Sequence, residues 1–242
     1  MANGILIVGP PGSGKSTAIE TLDPKTTFII NSDKKPLPFS KWRTNYVTIT
    51  KPDGKVDYDK SNYVEINEPV VIYKVLEYIS AKRPEIKEIV IDTLNHILTA
   101  EFMRTAKISG FQKFTDLALD IYNILKLIPT LRKDLIVYVM GHPEVSYDAD
   151  GSKLTKLRTI GKMLDEKVNI ESMFTVVLFT SVQLKNEAIP YGFETQTDGF
   201  NTGKSPKGMF SDRRIPNDFA KISETIRTFA HNLPCRNYHP TN

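Results

Sequence analysis

Cysteine is nearly absent: Cys235 stands alone among 242 residues, so no intrachain disulfide can form and the chain suits a reducing compartment. With one thiol and four histidines in no ligand-like spacing, no structural zinc site is expected. Long hydrophobic runs are missing too. None approaches the roughly 20 residues that span a bilayer, so no membrane partner is expected. The opening MANGILIVGPPG meets glycine and proline after a five-residue apolar run, which reads as a first strand rather than a secretory leader. These absences predict a cytoplasmic protein. Charge of one sign is scarce as well: the net charge is only +4, so nucleic-acid binding must be judged from where the basic residues fall.

With 40% hydrophobic and 25% charged residues, the composition fits one large α/β domain over residues 1–232, followed by a loose polar tail at 233–242. Short apolar runs alternate with helix-period segments, the pattern of a mainly parallel β-sheet with helices on both faces. The expected strands are Ile5–Val8, Thr27–Ile30, Ile89–Ile91, Leu135–Met140 and Phe174–Phe179. Helices are expected over Pro69–Ser80, Lys113–Ile128, Ile160–Ile170 and Asn217–Asn232. Lys113–Ile128 is the clearest: Phe114, Leu117, Ala118, Ile121, Tyr122 and Leu125 make one stripe. Segment 181–216, rich in Gly, Thr, Asn and Pro, reads as a C-terminal β-hairpin plus an ordered loop.

Gly9-Pro10-Pro11-Gly12-Ser13-Gly14-Lys15-Ser16 matches G-x-x-x-x-G-K-[ST] between a strand and a helix that opens at Ser16-Thr17. Glycines there let successive backbone N–H groups surround phosphate oxygens, and a helix N-terminus adds partial positive charge. Lys15 is expected to bridge the β- and γ-phosphates of ATP, and Ser16 to ligate Mg²⁺. Asp92 ends the buried run Glu88–Ile91, at the strand edge where ligands bind in parallel sheets, and is the expected second metal-side oxygen. Hydrolysis also needs a group that aims water at the γ-phosphate. Asp33, ending Phe28–Ser32, is one candidate and Glu144 is its rival. His142, ending Val137–Gly141, is placed to sense the γ-phosphate.

These strand ends together resemble the RecA-like P-loop ATPases, and more closely the phage-type single-strand-annealing and recombination ATPases, AAA_24-like. IVIDT at 89–93 resembles an apolar strand ending in Asp then Ser or Thr, and FIINSD at 28–33 the strand ending in the family's catalytic glutamate, where this chain has Asp33, one methylene shorter. VMGH at 139–142 falls at the sensor position, and Thr159–Leu164 followed by Phe174–Leu178 also looks like that branch. The resemblance implies a RecA-like core that assembles as a filament or ring on single-stranded DNA, with ATP between protomers. It implies Lys204 and Lys207 as cations given to a neighbour's γ-phosphate. It further implies two DNA-binding loops, Arg104–Lys113 with Arg104, Lys107 and Lys113, and Pro143–Arg158 with Lys153, Lys156 and Arg158. A single-strand-binding protein is an implied partner, and a host cytoplasm the implied setting. A small-molecule kinase shares the phosphate loop, but only Arg213 and Arg214 are present where a lid of spaced arginines is needed.

Overall fold

The computed structural model describes residues 3–107, 109–147, 150–161, 163–183 and 190–232. Ten strands occur among them: β1 Asn3–Val8, β2 Thr27–Asn31, β3 Tyr63–Val64, β4 Glu88–Asp92, β5 Ile136–Gly141, β6 Pro143–Tyr147, β7 Lys153–Leu157, β8 Val176–Val182, β9 Tyr191–Glu194 and β10 Arg214–Pro216. The α-helices are α1 Trp42–Asn45, α2 Pro69–Lys82, α3 Leu94–Arg104, α4 Gln112–Leu127 and α5 Phe219–Asn232. Eight strands join one sheet in the order β10-β9-β8-β1-β5-β4-β2-β3, while β6 and β7 pair separately. From β8 to β3 every pairing is parallel; β9 and β10 add an antiparallel edge.

Register brings the strand ends level. Val8 lies opposite both Gly141 and Phe179, and Asn31 opposite Asp92. The residues that follow, Gly9, Ser32, Thr93, His142 and Thr180, therefore collect along one sheet edge. The centres of the parallel strands are apolar because both faces of the sheet are covered. Leu6, Val8, Phe28 and Ile30 pack into one core with Ile72 and Leu76 of α2, Leu98 of α3 and Ile121 of α4. Ile5, Ile7 and Ile29 face the other way, with Ala18, Ile19, Tyr138, Phe219 and Ile222.

Four expectations change. The helix after the phosphate loop is a single six-residue 3₁₀ stretch, Ser16–Thr21, too short to sum to a strong macrodipole. The segment 160–170 does not form a regular helix: a π-helical turn at Met163–Val168 and a 3₁₀ turn at Ile170–Met173 replace it, with Asn169 left-handed between them at φ 45°. Pro143–Arg158 is the antiparallel β6–β7 hairpin rather than an irregular loop. Arg104 ends a helix instead of opening a loop. The segment 181–216 forms the β8–β9 hairpin and a loop returning as β10, as expected among the described residues. The tail at 233–242 lies outside the described residues. Among the described residues no helix is long and apolar enough to cross a membrane.

Candidate functional site

A cleft of about 740 Å³ opens on the sheet edge where the strand ends meet. Its floor is Pro11 to Thr17, and Asp33, Lys35, Asp92, Thr93 and His142 close one end. Gly9 and Pro10 do not line it. They act through their carbonyls, which accept from Lys15 Nζ at 2.6 and 3.0 Å. Gly12 and Gly14 adopt φ of 75° and 91°, a left-handed geometry that glycine takes without strain and that turns amides inward. Gly9 is required for space instead: a Cβ there would lie 2.6 Å from Thr180 Cγ2 and 2.7 Å from Ser13 Oγ.

Ser16 Oγ donates to Asp92 Oδ2 at 2.7 Å. Burial pushes the Asp92 carboxyl up to about 6, against the Ser16 hydrogen bond, which favours the ionised form. Burial likewise lowers Lys15 to about 8, with Asp92 pulling it back up. The Asp92–Thr93 peptide is cis, and the buried Thr93 Oγ1 has no hydrogen-bond partner among the described residues. Oxygen donors from Ser16 and Asp92, beside that unpaired hydroxyl, fit Mg²⁺, a hard cation that prefers oxygen and keeps several waters.

The ends of β2 and β4 are stitched together. Ser32 N donates to Asp92 O at 2.7 Å, Ser32 Oγ to Thr93 O at 2.6 Å, and Thr93 N to Ser32 Oγ at 2.8 Å. Asp33 is thereby held at the cleft. Its Oδ1 accepts from Lys35 N at 3.0 Å, and its Oδ2 faces Lys35 Nζ at 3.5 Å and His96 Nε2 at 3.6 Å. His142 is half-buried with Nδ1 3.4 Å from Gly9 O, and its backbone N donates to Asn95 Oδ1 at 2.6 Å. Burial, then the nearby Lys15 charge, lowers its pKa, so the ring is neutral at pH 7.

Other expected residues fall elsewhere. Glu144 is on β6, paired with Lys156 at 3.4 Å, and does not line the cleft, whereas Asp33 does. Lys204 bridges Val177 through its backbone, while Lys207 borders a separate groove; neither reaches the cleft of its own protomer. Arg104 is engaged internally, with Glu101, with Asn67 Oδ1 at 2.8 Å and with Glu68 at 3.8 Å. Lys113 Nζ lies 5.6 Å over both Phe102 and Phe114. Lys153 is exposed, as is Arg158, whose N donates to His142 O at 2.8 Å. Phe111 and Tyr147 are strongly exposed, at 88% and 70%.

Sequence reasoning missed His96, Lys35, Tyr191, Asn217 and Thr180. Only Lys35, adjacent in sequence to an expected site residue, carried a local signal. The tetrapeptide Thr50-Lys51-Pro52-Asp53 fits the N/T-K-x-D pattern by which GTP-binding proteins read guanine. It sits in a turn bridged from Thr50 to Val56, Asp53 faces Lys55 at 3.7 Å, and no member lines the cleft.

The AAA_24 family model, described as an AAA domain, matches residues 1–211. No curated protein matches the chain. Among solved structures, the chain is similar to the genome packaging NTPase B204 from Sulfolobus turreted icosahedral virus 2, solved in complex with ATP-gammaS. Identity is 12%, the TM-score is 0.39, and the match covers 77% of this chain and 78% of that one.

Proposed function

The chain belongs to the AAA_24 family of AAA domains, a P-loop ATPase that takes ATP and Mg²⁺, and we propose that it turns over ATP on single-stranded DNA. Gly12 to Thr17 hold the phosphates, Ser16 and Asp92 the metal, Asp33 the attacking water, and His142 the γ-phosphate end. The single observation carrying the DNA reading is that the β6–β7 hairpin springs directly from His142. At the far end of the hairpin Tyr147 pairs in register with Lys153. An exposed ring beside an exposed cation is what base stacking and phosphate neutralisation need. Lys153 also borders a groove with Phe200 and Arg213, though Glu194 and Asp198 share it. Lys107 and Phe111 add a second exposed cation and ring after α3. Arg104 and Lys156 carry no weight here, because carboxylates already engage them.

Recombination or strand annealing is the process this activity serves, with ATP between protomers and Lys204 and Lys207 supplied to a neighbour. Such a trans cation makes hydrolysis depend on assembly. The test is ATP turnover with and without single-stranded DNA, for wild type and for Tyr147→Ala with Lys153→Ala. Stimulation by DNA that the double variant loses supports the proposal. Turnover indifferent to DNA contradicts it, and phosphate appearing on an added nucleoside monophosphate would replace it with the kinase reading.

A further inference from the structure

The cleft does not stop at the phosphate loop. Beyond Gly14 and Thr17 its wall changes from charged strand ends to Pro190, Tyr191, Pro216, Asn217, Asp218 and Lys221. Pro190 leads into β9, Tyr191 opens it, Pro216 ends β10, and Asn217, Asp218 and Lys221 lie at the entry to α5. Nothing in the phosphate-binding chemistry uses them.

The wall is fixed from behind. Phe219 stacks on Tyr138 with centroids 4.2 Å apart and 10° between planes, and on Phe193 at 5.7 Å. Tyr138 Oη donates to Phe219 O at 2.9 Å and lies 2.8 Å from Ser223 Oγ, so the start of α5 is pinned to the central strand β5. Asp218 Oδ1 caps the helix by accepting from Lys221 N at 3.0 Å. Asn217, immediately before, is thus delivered to the phosphate loop, where its Nδ2 donates to Gly14 O at 2.9 Å across 203 positions of sequence. Gly14 has no room for a side chain: a Cβ would overlap Asn217 Nδ2 and come within 3.2 Å of the Tyr191 ring. The amide's other end, Asn217 Oδ1, is buried without a hydrogen-bond partner among the described residues. An unpaired buried acceptor is costly.

We propose that this wall is a nucleoside subsite, in which the base of the bound nucleotide stacks on the Tyr191 ring between Pro190 and Pro216. It rests on the phosphate loop holding the triphosphate. Tyr191 is 39% exposed, lines the cleft and is carried at the start of β9. An aromatic ring accepts a base by its π-face, which every base has. The phosphate end then supplies attraction common to any polyphosphate, and the Tyr191 end supplies the preference for a nucleotide over a bare triphosphate. Asn217, touching both Gly14 and this wall, joins the two halves.

The experiment is calorimetry on the full chain with Mg·ATP and, separately, Mg·tripolyphosphate, which has phosphates and no base. Wild type is expected to bind ATP at least about tenfold more tightly than tripolyphosphate, the scale of one base–aromatic stack. Tyr191→Ala is expected to bring ATP to within about threefold of tripolyphosphate while leaving tripolyphosphate unchanged, and Tyr191→Phe to keep the wild-type ratio. Equal affinity of wild type for the two ligands, a comparison that needs no variant, overturns the proposal. So does a Tyr191→Ala chain that loses affinity for both alike. A folded wild type that binds neither overturns the phosphate-loop reading, and the subsite with it.

Discussion

Ser16 and Asp92 meet across 76 residues of chain, the hydroxyl donating to the carboxylate at 2.7 Å. The pairing exists because β1 and β4 end level on the same sheet edge, with β5 between them. Under the proposed function these are the metal-side oxygens, and the hydrogen bond lowers the cost of keeping Asp92 ionised while buried.

Asp92→Asn is expected to abolish Mg²⁺-dependent turnover and yet raise the melting temperature of the nucleotide-free protein at pH 7.5. The sign follows from burial. The folded carboxyl titrates near 6, above its ordinary 3.8, so the proton is held more tightly in the folded state. Stability is then greatest below about 4 and is lost as pH rises through 6. Removing the charge returns no more than about 3 kcal/mol at pH 7.5. Thermal melts of both proteins check it: the gap narrows at pH 5, and a gap independent of pH contradicts the burial account.

Lys15→Ala is expected to reduce turnover by at least about 100-fold, on the scale of losing one preorganised charge-stabilising group. In the wild type, burial holds Lys15 near 8, so its charged fraction falls above that value. Mg·ATP affinity measured by calorimetry is expected to weaken between pH 7 and pH 9. Affinity constant over that window would show that Lys15 does not contribute as a cation.

His142→Ala is expected to leave ATP bound and uncouple hydrolysis from DNA, because the ring lies between the phosphate loop and the hairpin. The measurement is ATP affinity alongside DNA-stimulated turnover. Affinity within about threefold of wild type with stimulation lost fits the role; stimulation retained contradicts it.

Gly9→Ala is expected to destabilise the fold by about 1–3 kcal/mol, since the added methyl is driven into Thr180 and Ser13. Thr180→Ala in the same chain removes both obstructing Thr180 atoms, and with them a buried hydroxyl that lacks a partner among the described residues. Denaturant titration is expected to show the double variant recovering about half of the loss or more. Strictly additive losses would place the strain elsewhere.

The sheet was legible in the sequence because strands buried on both faces are continuous apolar runs, as Ile5–Val8 and Ile136–Met140 are. Ser16 and Asp92 were legible because each ends such a run or its adjoining turn. The segment 160–170 misled because Ile160, Met163, Leu164 and Val168 are apolar at intervals of three and four, while left-handed Asn169 breaks the backbone between two short turns. Glu144 is kept from the cleft by pairing that the local sequence does not show: on β6 it lies opposite Lys156 of β7, which faces it at 3.4 Å. His96, Tyr191 and Asn217 carried no local pattern at all. Their place at the cleft comes from tertiary packing, α3 docking beside Asp33 and Phe219 pinning α5 behind Gly14.

The most direct measurement is a crystal structure with Mg²⁺ and a non-hydrolysable ATP analogue. The account predicts the β-phosphate ringed by the amides of Gly12 to Ser16, with Lys15 Nζ released from the Gly9 and Pro10 carbonyls onto phosphate oxygens. Ser16 Oγ should leave Asp92 for the metal. A nucleotide bound away from this loop, or a Ser16–Asp92 bond unchanged with no metal beside it, would contradict it.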